Sequence, residues 1–267
     1  MCKADNRELQ NSHFLPAGVY RVTREENEAN PNPITFDDRG VFQDSKQICD
    51  YLLCSECEDR LNKNGERWFL ADCSRRDQFR LDSLLNSGTA VELSPRMKVY
   101  HAASIPGVNV EALAYFASSM FWRSSAHRWT VRGKAAKGIQ LGPYQEELRT
   151  YLLGQTEFPR YCVLWVSVAD ARTPIDAFSL TPYGGRTQGY HVYKLLVRGV
   201  AFHLFVGKRI PAQFRQTCFV RGTGHPIYRT DMLEEALLKD MRRKFDRVPE
   251  LLNGPRGGAG ARQPASE

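Results

Sequence analysis

The segment LLCSECEDRLNKNGE, residues 52–66, carries the clearest structural signal of the chain. Within it, Cys54 and Cys57 form a Cys-x-x-Cys pair, a spacing that lets two thiolates hold one tetrahedral zinc ion from a tight turn. At the start of the chain, Cys2 stands where a second such pair would contribute one of its members. We therefore expect Cys2, Cys54 and Cys57 to bind one structural zinc ion.

The spacing leaves the fourth zinc ligand open. A complete second pair needs a cysteine three positions before Cys2, so one expectation is that the natural start lies upstream of Met1. Asp5 is an alternative oxygen ligand. A further alternative is His13, which would complete a Cys₃His set. The alternative to a zinc site is that Cys54 and Cys57 are simply reduced surface or core thiols.

Cysteine usage also indicates the cellular compartment. Five of the seven cysteines fall in the first 73 residues, which favours metal binding over random use in a core. The odd number, without an apolar signal segment after Met1, argues against a disulfide framework. No run approaches the roughly 18 consecutive apolar residues of a membrane span. The sequence thus predicts a cytoplasmic protein with no membrane partner.

Between the cysteines lies SHFLP, residues 12–16, in which a histidine is followed by apolar residues and proline. Together with the cysteine pattern, this segment resembles the HNH endonuclease family over about residues 1–70. The chain is also similar to uncharacterised bacterial HNH-like proteins, through SHFLP, LLCSECE and FWRSSAHRW (121–129). The resemblance implies a treble-clef (His-Me finger) module. In that module, His13 activates water while a divalent ion, Mg²⁺ or Mn²⁺, is held against the scissile DNA phosphate.

The sequence departs from the HNH pattern at three places. Ser12 stands where active nucleases carry an acidic or similar ligand, and Glu58 stands where a metal-binding histidine usually follows the second cysteine pair. Residues 49–50 are Cys and Asp where an orienting asparagine is expected. Glu58 can bind a hard cation through oxygen, and Asn62, one helical turn later, can share its face. The implied catalytic set is therefore His13, Glu58 and Asn62, in a site that is either altered or inactive. The alternative is a non-catalytic zinc-binding scaffold for nucleic acid or a protein partner.

Charge favours a nucleic-acid partner for the larger part of the chain. Residues 1–72 contain nine Lys/Arg and fourteen Asp/Glu, whereas the remainder contains 28 and 16. Basic residues interleave with aromatic ones in residues 121–129 and occupy two turns after predicted strands, a pattern that suits phosphate binding and base stacking. A solvated basic surface is the simpler alternative. The candidate nucleic-acid contacts are Arg123, Arg128, Lys208, Arg209 and Arg221.

Hydrophobic patterning predicts an α+β fold. The middle is predicted to be helical, with one helix capped by Asn109 and running to about Trp129, and another from Pro143 to just before Gly154. Strands are predicted at 161–169, 190–198 and 200–206, with a tight turn at Gly199 and an edge strand at 216–220.

The predicted organisation has three parts: an HNH-like zinc module at 1–72, an α+β domain at 73–250, and a disordered tail at 251–267. The second part is expected to combine its helical middle with an antiparallel sheet and a closing helix at 231–245. The sequence specifies neither an oligomeric state nor a role for residues 160–250.

Overall fold

A computed structural model describes residues 1–22, 34–37, 40–43, 47–73, 80–131, 133–136, 138–169, 179–231 and 239. The predicted closing helix at 231–245 falls almost wholly outside the described residues, and the predicted tail at 251–267 does so entirely. None of the helices in the described ranges has the length and apolar character needed to cross a membrane.

The secondary structure of these ranges is mixed. The strands, in chain order, are β1 (Leu9–His13), β2 (Ile34–Asp37), β3 (Gly40–Gln43), β4 (Cys49–Cys54), β5 (Ala90–Ser94), β6 (Met97–His101), β7 (Thr130–Val131), β8 (Lys134–Ala135), β9 (Cys162–Ala169), β10 (Ser179–Thr187), β11 (Tyr190–Val197), β12 (Val200–Val206) and β13 (Pro226–Thr230). The α helices are α1 (Ala17–Val22), α2 (Ser55–Leu61), α3 (Arg80–Leu85), α4 (Val110–Ala126), α5 (Tyr144–Leu152) and α6 (Ala212–Gln216). The predicted α+β class is confirmed.

Nine strands form one sheet in the order β3-β2-β10-β11-β12-β9-β13-β6-β5. The sheet is mixed, whereas the sequence predicted an antiparallel one, because β13 lies parallel to β9 and β2 lies parallel to β10. Two further pairs stand apart from it: β1 with β4, and β7 with β8. The N-terminal region therefore adds β2 and β3 to the main sheet while keeping its own antiparallel pair.

The tight turn between β11 and β12 matches its prediction. Arg198 and Gly199 have φ angles of 45° and 73°, and Val197 pairs directly with Val200. Two successive left-handed residues define the turn that best matches the twist of antiparallel strands. The edge strand predicted at 216–220 is wrong. Gln216 ends α6, and the residues after it form turns. The backbone N–H of Phe219 donates a hydrogen bond to the carbonyl oxygen of Leu164 in the sheet, but no strand pairing forms there in the described residues.

The longest helix, α4, organises the core. Its predicted cap is present, because Oδ1 of Asn109 accepts a hydrogen bond from the backbone N–H of Ala112 at 2.9 Å. The helix ends at Ala126, three residues before the predicted end, since His127 is extended. On one face of the sheet, the ring of Phe116 packs 5.9 Å from that of Phe202.

One continuous apolar core joins both parts of the predicted domain division. Leu53 and Leu61 from the N-terminal region belong to the same buried cluster as Phe116 and the strands of the sheet. Contact between the two parts is close, because a Cβ added at Gly65 would lie only 2.8 Å from the backbone nitrogen of Phe116. The predicted boundary at residue 72 therefore does not separate two cores.

Candidate metal centre and the adjoining polar site

The sulfur atoms of Cys2, Cys54 and Cys57 all lie within 4.8 Å of one another. The Sγ atoms of Cys2 and Cys54 are 3.7 Å apart. Tetrahedral thiolates at about 2.3 Å from a zinc ion would be about 3.8 Å apart, so this separation fits a shared ion. Among the described residues, this is the one group of three or more His, Cys, Asp or Glu side chains with such proximity. The three cysteines are thus close enough to hold a metal ion.

Two elements bring the buried thiols to this point. Strand β4 ends at Cys54, and α2 starts at the next residue, which places Cys57 in the first turn of the helix. Both side chains are almost fully buried, whereas Cys2 is exposed. The chain therefore presents two ligands from a rigid strand–helix junction and one from its N-terminal segment.

Helix α5 anchors that N-terminal segment. Arg149 donates a hydrogen bond from Nη1 to the carbonyl oxygen of Met1 at 2.8 Å and pairs with Glu146 on its own helix. Glu146 also accepts from Nζ of Lys3 at 3.1 Å. These contacts on either side of Cys2 hold its sulfur near the other two.

The surroundings of the thiols affect their ionisation differently. A backbone hydrogen bond from Ala4, assisted by the two neighbouring thiols, lowers the pKa of Cys2 to about 7. Burial raises the pKa of Cys57 to about 11. Because the thiolate is the metal-binding form, Cys2 is ready to bind near neutral pH, while Cys57 needs the metal's own charge to deprotonate.

His13 does not belong to this cysteine group. In the β1–β4 pair, Leu9 lies opposite Cys54 and His13 lies opposite Cys49. Four residues of strand separate the two points, which is about 13 Å at a rise of about 3.3 Å per residue. The predicted Cys₃His set is therefore corrected to three cysteines. Asp5, which is exposed, is also outside the group.

A second polar cluster surrounds the buried guanidinium of Arg123, which is 1% exposed. Its Nη2 donates to Oε1 of Glu66 at 2.6 Å and lies 3.7 Å from Oε2 of Glu58, and its Nη1 donates to the carbonyl oxygen of His13 at 3.0 Å. Arg123 was predicted to bind nucleic acid, but its charge is enclosed and paired with carboxylates. The burial of α4 against the N-terminal region accounts for this correction.

The two carboxylates of this cluster, Glu66 and Glu58, differ in their hydrogen-bond partners. Burial raises the pKa of Glu66; the charges of Arg123 and His13 oppose that rise, while the charge of Glu58 adds to it. The Oε1 atom of Glu58 is buried and has no hydrogen-bond partner among the described residues. Asn62 is exposed, and its backbone N–H donates to the carbonyl oxygen of Glu58, one turn earlier.

Glu58 also offers a ligand of the kind that suits a hard divalent cation. An unpartnered carboxylate oxygen is the ligand such a cation prefers, and Mg²⁺ commonly takes only one or two protein carboxylates besides water and phosphate. Oε1 of Glu58 meets that requirement. No group of three His, Cys, Asp or Glu side chains converges around it in the described ranges.

The sequence did not single out the pair formed by Asp50 and His127. Nε2 of His127 lies 2.8 Å from Oδ2 of Asp50, and Oδ1 of Asp50 accepts from the backbone N–H of Tyr51 at 2.8 Å. The hydrogen bond to His127 is the main reason why the pKa of Asp50 is lowered. Two signals pointed here: Asp50 occupies the stretch where an orienting residue was expected, and His127 lies in FWRSSAHRW. The helix was predicted to continue to residue 129. The sequence therefore did not indicate that the chain leaves the helix at His127 and that this side chain is partly exposed.

The remaining predicted nucleic-acid contacts are of two kinds. Arg128, Lys208 and Arg209 are exposed. Arg221 is also exposed, but it donates hydrogen bonds to backbone carbonyl oxygens of residues 158–160 and 162, so it holds the segment leading into β9. Four of the five predicted contacts are therefore exposed, and the guanidinium of one of these four is already engaged by backbone carbonyl oxygens.

Comparison with family models, curated proteins and solved structures found no match for this chain. Any assignment of function must therefore rest on the cysteine group, the Arg123 cluster and the Asp50–His127 pair.

Proposed function

We propose that the protein is an HNH-like, metal-dependent nuclease that hydrolyses phosphodiester bonds of DNA. The observation that carries the proposal is the arrangement of β1, β4 and α2, an antiparallel pair followed directly by a helix. His13 ends the first strand, and Glu58 lies in the helix with an unpartnered oxygen. This order of two paired strands and a helix supports the treble-clef-like module that the resemblance implies.

Each group has a role in the proposed reaction. Zinc bound by the three cysteines would be structural, fixing the end of β4 and the start of α2 to the N-terminal segment. A Mg²⁺ or Mn²⁺ ion would neutralise charge on the phosphate and stabilise the departing alkoxide. Glu58 would hold that ion through Oε1, and the resemblance assigns the activation of water to the imidazole of His13.

The exposed cations support DNA as the substrate. Arg128 follows α4 directly after His127, and Lys208 and Arg209 lie in the turn after β12. Such side chains bind phosphate oxygens without reading sequence, and they make affinity dependent on salt. The excess of basic residues after position 72 adds to that attraction.

A second candidate function is favoured by Arg123. Its guanidinium lies between Glu66, Glu58 and the carbonyl oxygen of His13, and it supplies positive charge where a catalytic cation would otherwise be needed. One guanidinium beside two carboxylates already offsets part of their negative charge, and repulsion from it makes a divalent ion bind less readily there. On this alternative, the protein is a non-catalytic zinc-binding scaffold for nucleic acid or a protein partner.

One experiment separates these functions. Zinc-loaded protein is incubated with supercoiled plasmid and Mg²⁺ or Mn²⁺, and nicking is followed on a gel. The nuclease proposal expects metal-dependent nicking that falls at least about 100-fold in Glu58→Gln, since a cation ligand is lost. Asp59→Asn is the matched control, because Asp59 is the exposed neighbour of Glu58 and pairs only with Lys63 in the described contacts.

The opposite outcome is equally specific. A fully zinc-loaded parent that shifts plasmid in a binding gel but does not nick it with either metal supports the scaffold and overturns the nuclease. Zinc content and thermal unfolding of each variant show that the protein remained folded.

A further inference from the structure

We infer that His127, held by Asp50, is the group that accepts the proton of the attacking water in the proposed hydrolysis, an inference that rests on the proposed nuclease function. It assigns a chemical role to a pair that lies 77 residues apart in sequence and meets at the junction of β4 with the end of α4. The pair lies outside both the cysteine group and the Arg123 cluster.

The hydrogen bond between the two residues determines the tautomer of the imidazole. A carboxylate only accepts hydrogen bonds, so the proton of neutral His127 is on Nε2, where Asp50 accepts it. The lone pair is then on Nδ1. With 24% of its side chain exposed, His127 is accessible to water. A neutral imidazole with one nitrogen fixed and the other free is the form that a general base needs.

Neighbouring residues hold both partners in place. The second oxygen of Asp50 accepts the backbone N–H of Tyr51, which fixes the carboxylate. The ring of His127 meets the edge of Trp129 with centroids 5.0 Å apart, and the indole N–H of Trp129 donates to the carbonyl oxygen of Arg123 at 2.9 Å. A preorganised base contributes more to catalysis than a mobile one.

Within the described ranges, no carboxylate forms a hydrogen bond with the imidazole of His13 as Asp50 does with that of His127. Asp50, in the strand opposite, pairs in register with Ser12 and directs its carboxylate to His127. Glu66 lies within electrostatic range of His13, but its oxygen already accepts a hydrogen bond from Arg123. Residue 123 also connects the two places, because its side chain contacts Glu58 and its carbonyl oxygen contacts Trp129.

The proton and electron balance is that of ordinary hydrolysis. Nδ1 of His127 takes one proton from water as the water oxygen forms a bond to phosphorus. The bond from phosphorus to the leaving oxygen breaks, and the leaving alkoxide takes a proton from solvent. The imidazolium, stabilised by the Asp50 carboxylate, returns its proton to solvent. One diester and one water yield one monoester and one alcohol.

The test measures plasmid nicking by His127→Ala, Asp50→Asn and His13→Ala in parallel, with and without added imidazole. We expect His127→Ala to lose at least about 100-fold in rate and to recover part of it with imidazole, since a removed base is replaced chemically. We expect a smaller loss for Asp50→Asn. A merely structural role would give no rescue.

The alternative results of this experiment each contradict a specific part of the proposed mechanism. If His127→Ala nicks like the parent while Glu58→Gln does not, the inference is wrong and the nuclease stands. If only His13→Ala is rescued by imidazole, His13 is the base. A readout independent of turnover is two-bond ¹H–¹⁵N correlation of the imidazoles in the intact protein at pH 8. A proton on Nδ1 of His127 contradicts the inference even in a protein that does not nick DNA.

Discussion

The β1–β4 pair and the centre of the nine-stranded sheet differ in what holds them together. Three of the five residues in β1 are exposed, as is Tyr51 in β4, which is 64% exposed. In β12, by contrast, six of seven residues are buried. A strand pair with so little apolar burial needs another source of stability, and a metal ion held by the cysteine group at its end would supply one. Similar backbone hydrogen bonding thus coexists with very different burial in the two regions.

Typical free energies of zinc binding and of side-chain burial support this difference between the two regions. Structural zinc contributes roughly 10–16 kcal/mol of apparent binding energy in small zinc-folded peptides, whereas burying one large apolar side chain contributes about 1.5–3 kcal/mol. If the cysteine group binds zinc as we propose, removing that ion would be comparable to removing several buried side chains. Because Leu53 and Leu61 still pack into the common core, we expect the loss to be confined to the N-terminal elements.

The largest expected effect follows from removing the metal. Chelation, or Cys57→Ser, should abolish stoichiometric zinc and expose the amides of β1 and β4, because two buried thiol positions then lack the ion that joins them to Cys2. Amides of β9 and β12 should stay protected. Hydrogen exchange with mass spectrometry measures both regions in one sample.

Cys49→Ser is the matched control, since Cys49 lies in β4 but outside the cysteine group. It should leave zinc content and exchange unchanged apart from local effects. Full protection of β1 after complete zinc removal would show that packing alone holds the pair, and the contrast between the two regions would disappear.

A smaller effect should come from the cluster that connects the two regions. Arg123→Met leaves Glu66 buried without its cation, and breaking a buried pair in this way typically costs about 3–5 kcal/mol. Adding Glu66→Gln removes the uncompensated charge, so the double variant should recover much of the loss. Urea unfolding of the parent, both single variants and the double variant measures the coupling.

Arg128→Met serves as the control for that cycle, because Arg128 is exposed. Its free energy of unfolding should stay close to that of the parent. A double variant no more stable than Arg123→Met would mean that the methylene stem of Arg123, rather than its charge, stabilises this junction.

Features set by neighbouring residues could be predicted from the sequence. The cap at Asn109, the turn at Gly199 and the spacing of Cys54 and Cys57 each depend on contacts within a few positions. Such local geometry follows from backbone preferences and short side-chain hydrogen bonds. These predictions therefore required no knowledge of the fold.

Features set by distant pairings could not be predicted in the same way. Insertion of β13 between β9 and β6 makes the sheet mixed, and no local pattern encodes which strands become neighbours. Arg123 meets Glu66 over 57 positions, and His127 meets Asp50 over 77. Their residue types suggested exposure, because charged side chains are rarely buried unless paired. Only the fold shows where the partners are.

The smallest of the three effects concerns the sheet, where His203 of β12 lies opposite Trp165 and Lys194. Burial, with a further contribution from Lys194, lowers the pKa of His203 to about 4. Its Nδ1 atom is buried without a hydrogen-bond partner in the described part of the chain. The sheet thus carries an imidazole that folds in its neutral form.

This burial makes the sheet's stability depend on pH. Below the unfolded-state pKa of about 6.5, the unfolded chain binds a proton that the folded protein does not take up until about pH 4. The free energy of unfolding should therefore decrease as the pH falls through that window, by at most about 3.5 kcal/mol at roughly 1.4 kcal/mol per pH unit. His203→Gln should remove this contribution, whereas His101→Gln, at an exposed position, should not.

Urea unfolding at several pH values between 4 and 7 measures the slope for the parent and both variants. Because the cysteine thiolates also take up protons as the metal is released in acid, the parent's slope combines both regions. The difference between His203→Gln and the parent at each pH cancels the shared metal contribution and isolates the sheet. A constant difference across the window would show that His203 gains its proton in the folded state as readily as in the unfolded chain, and that this part of the sheet is open to water.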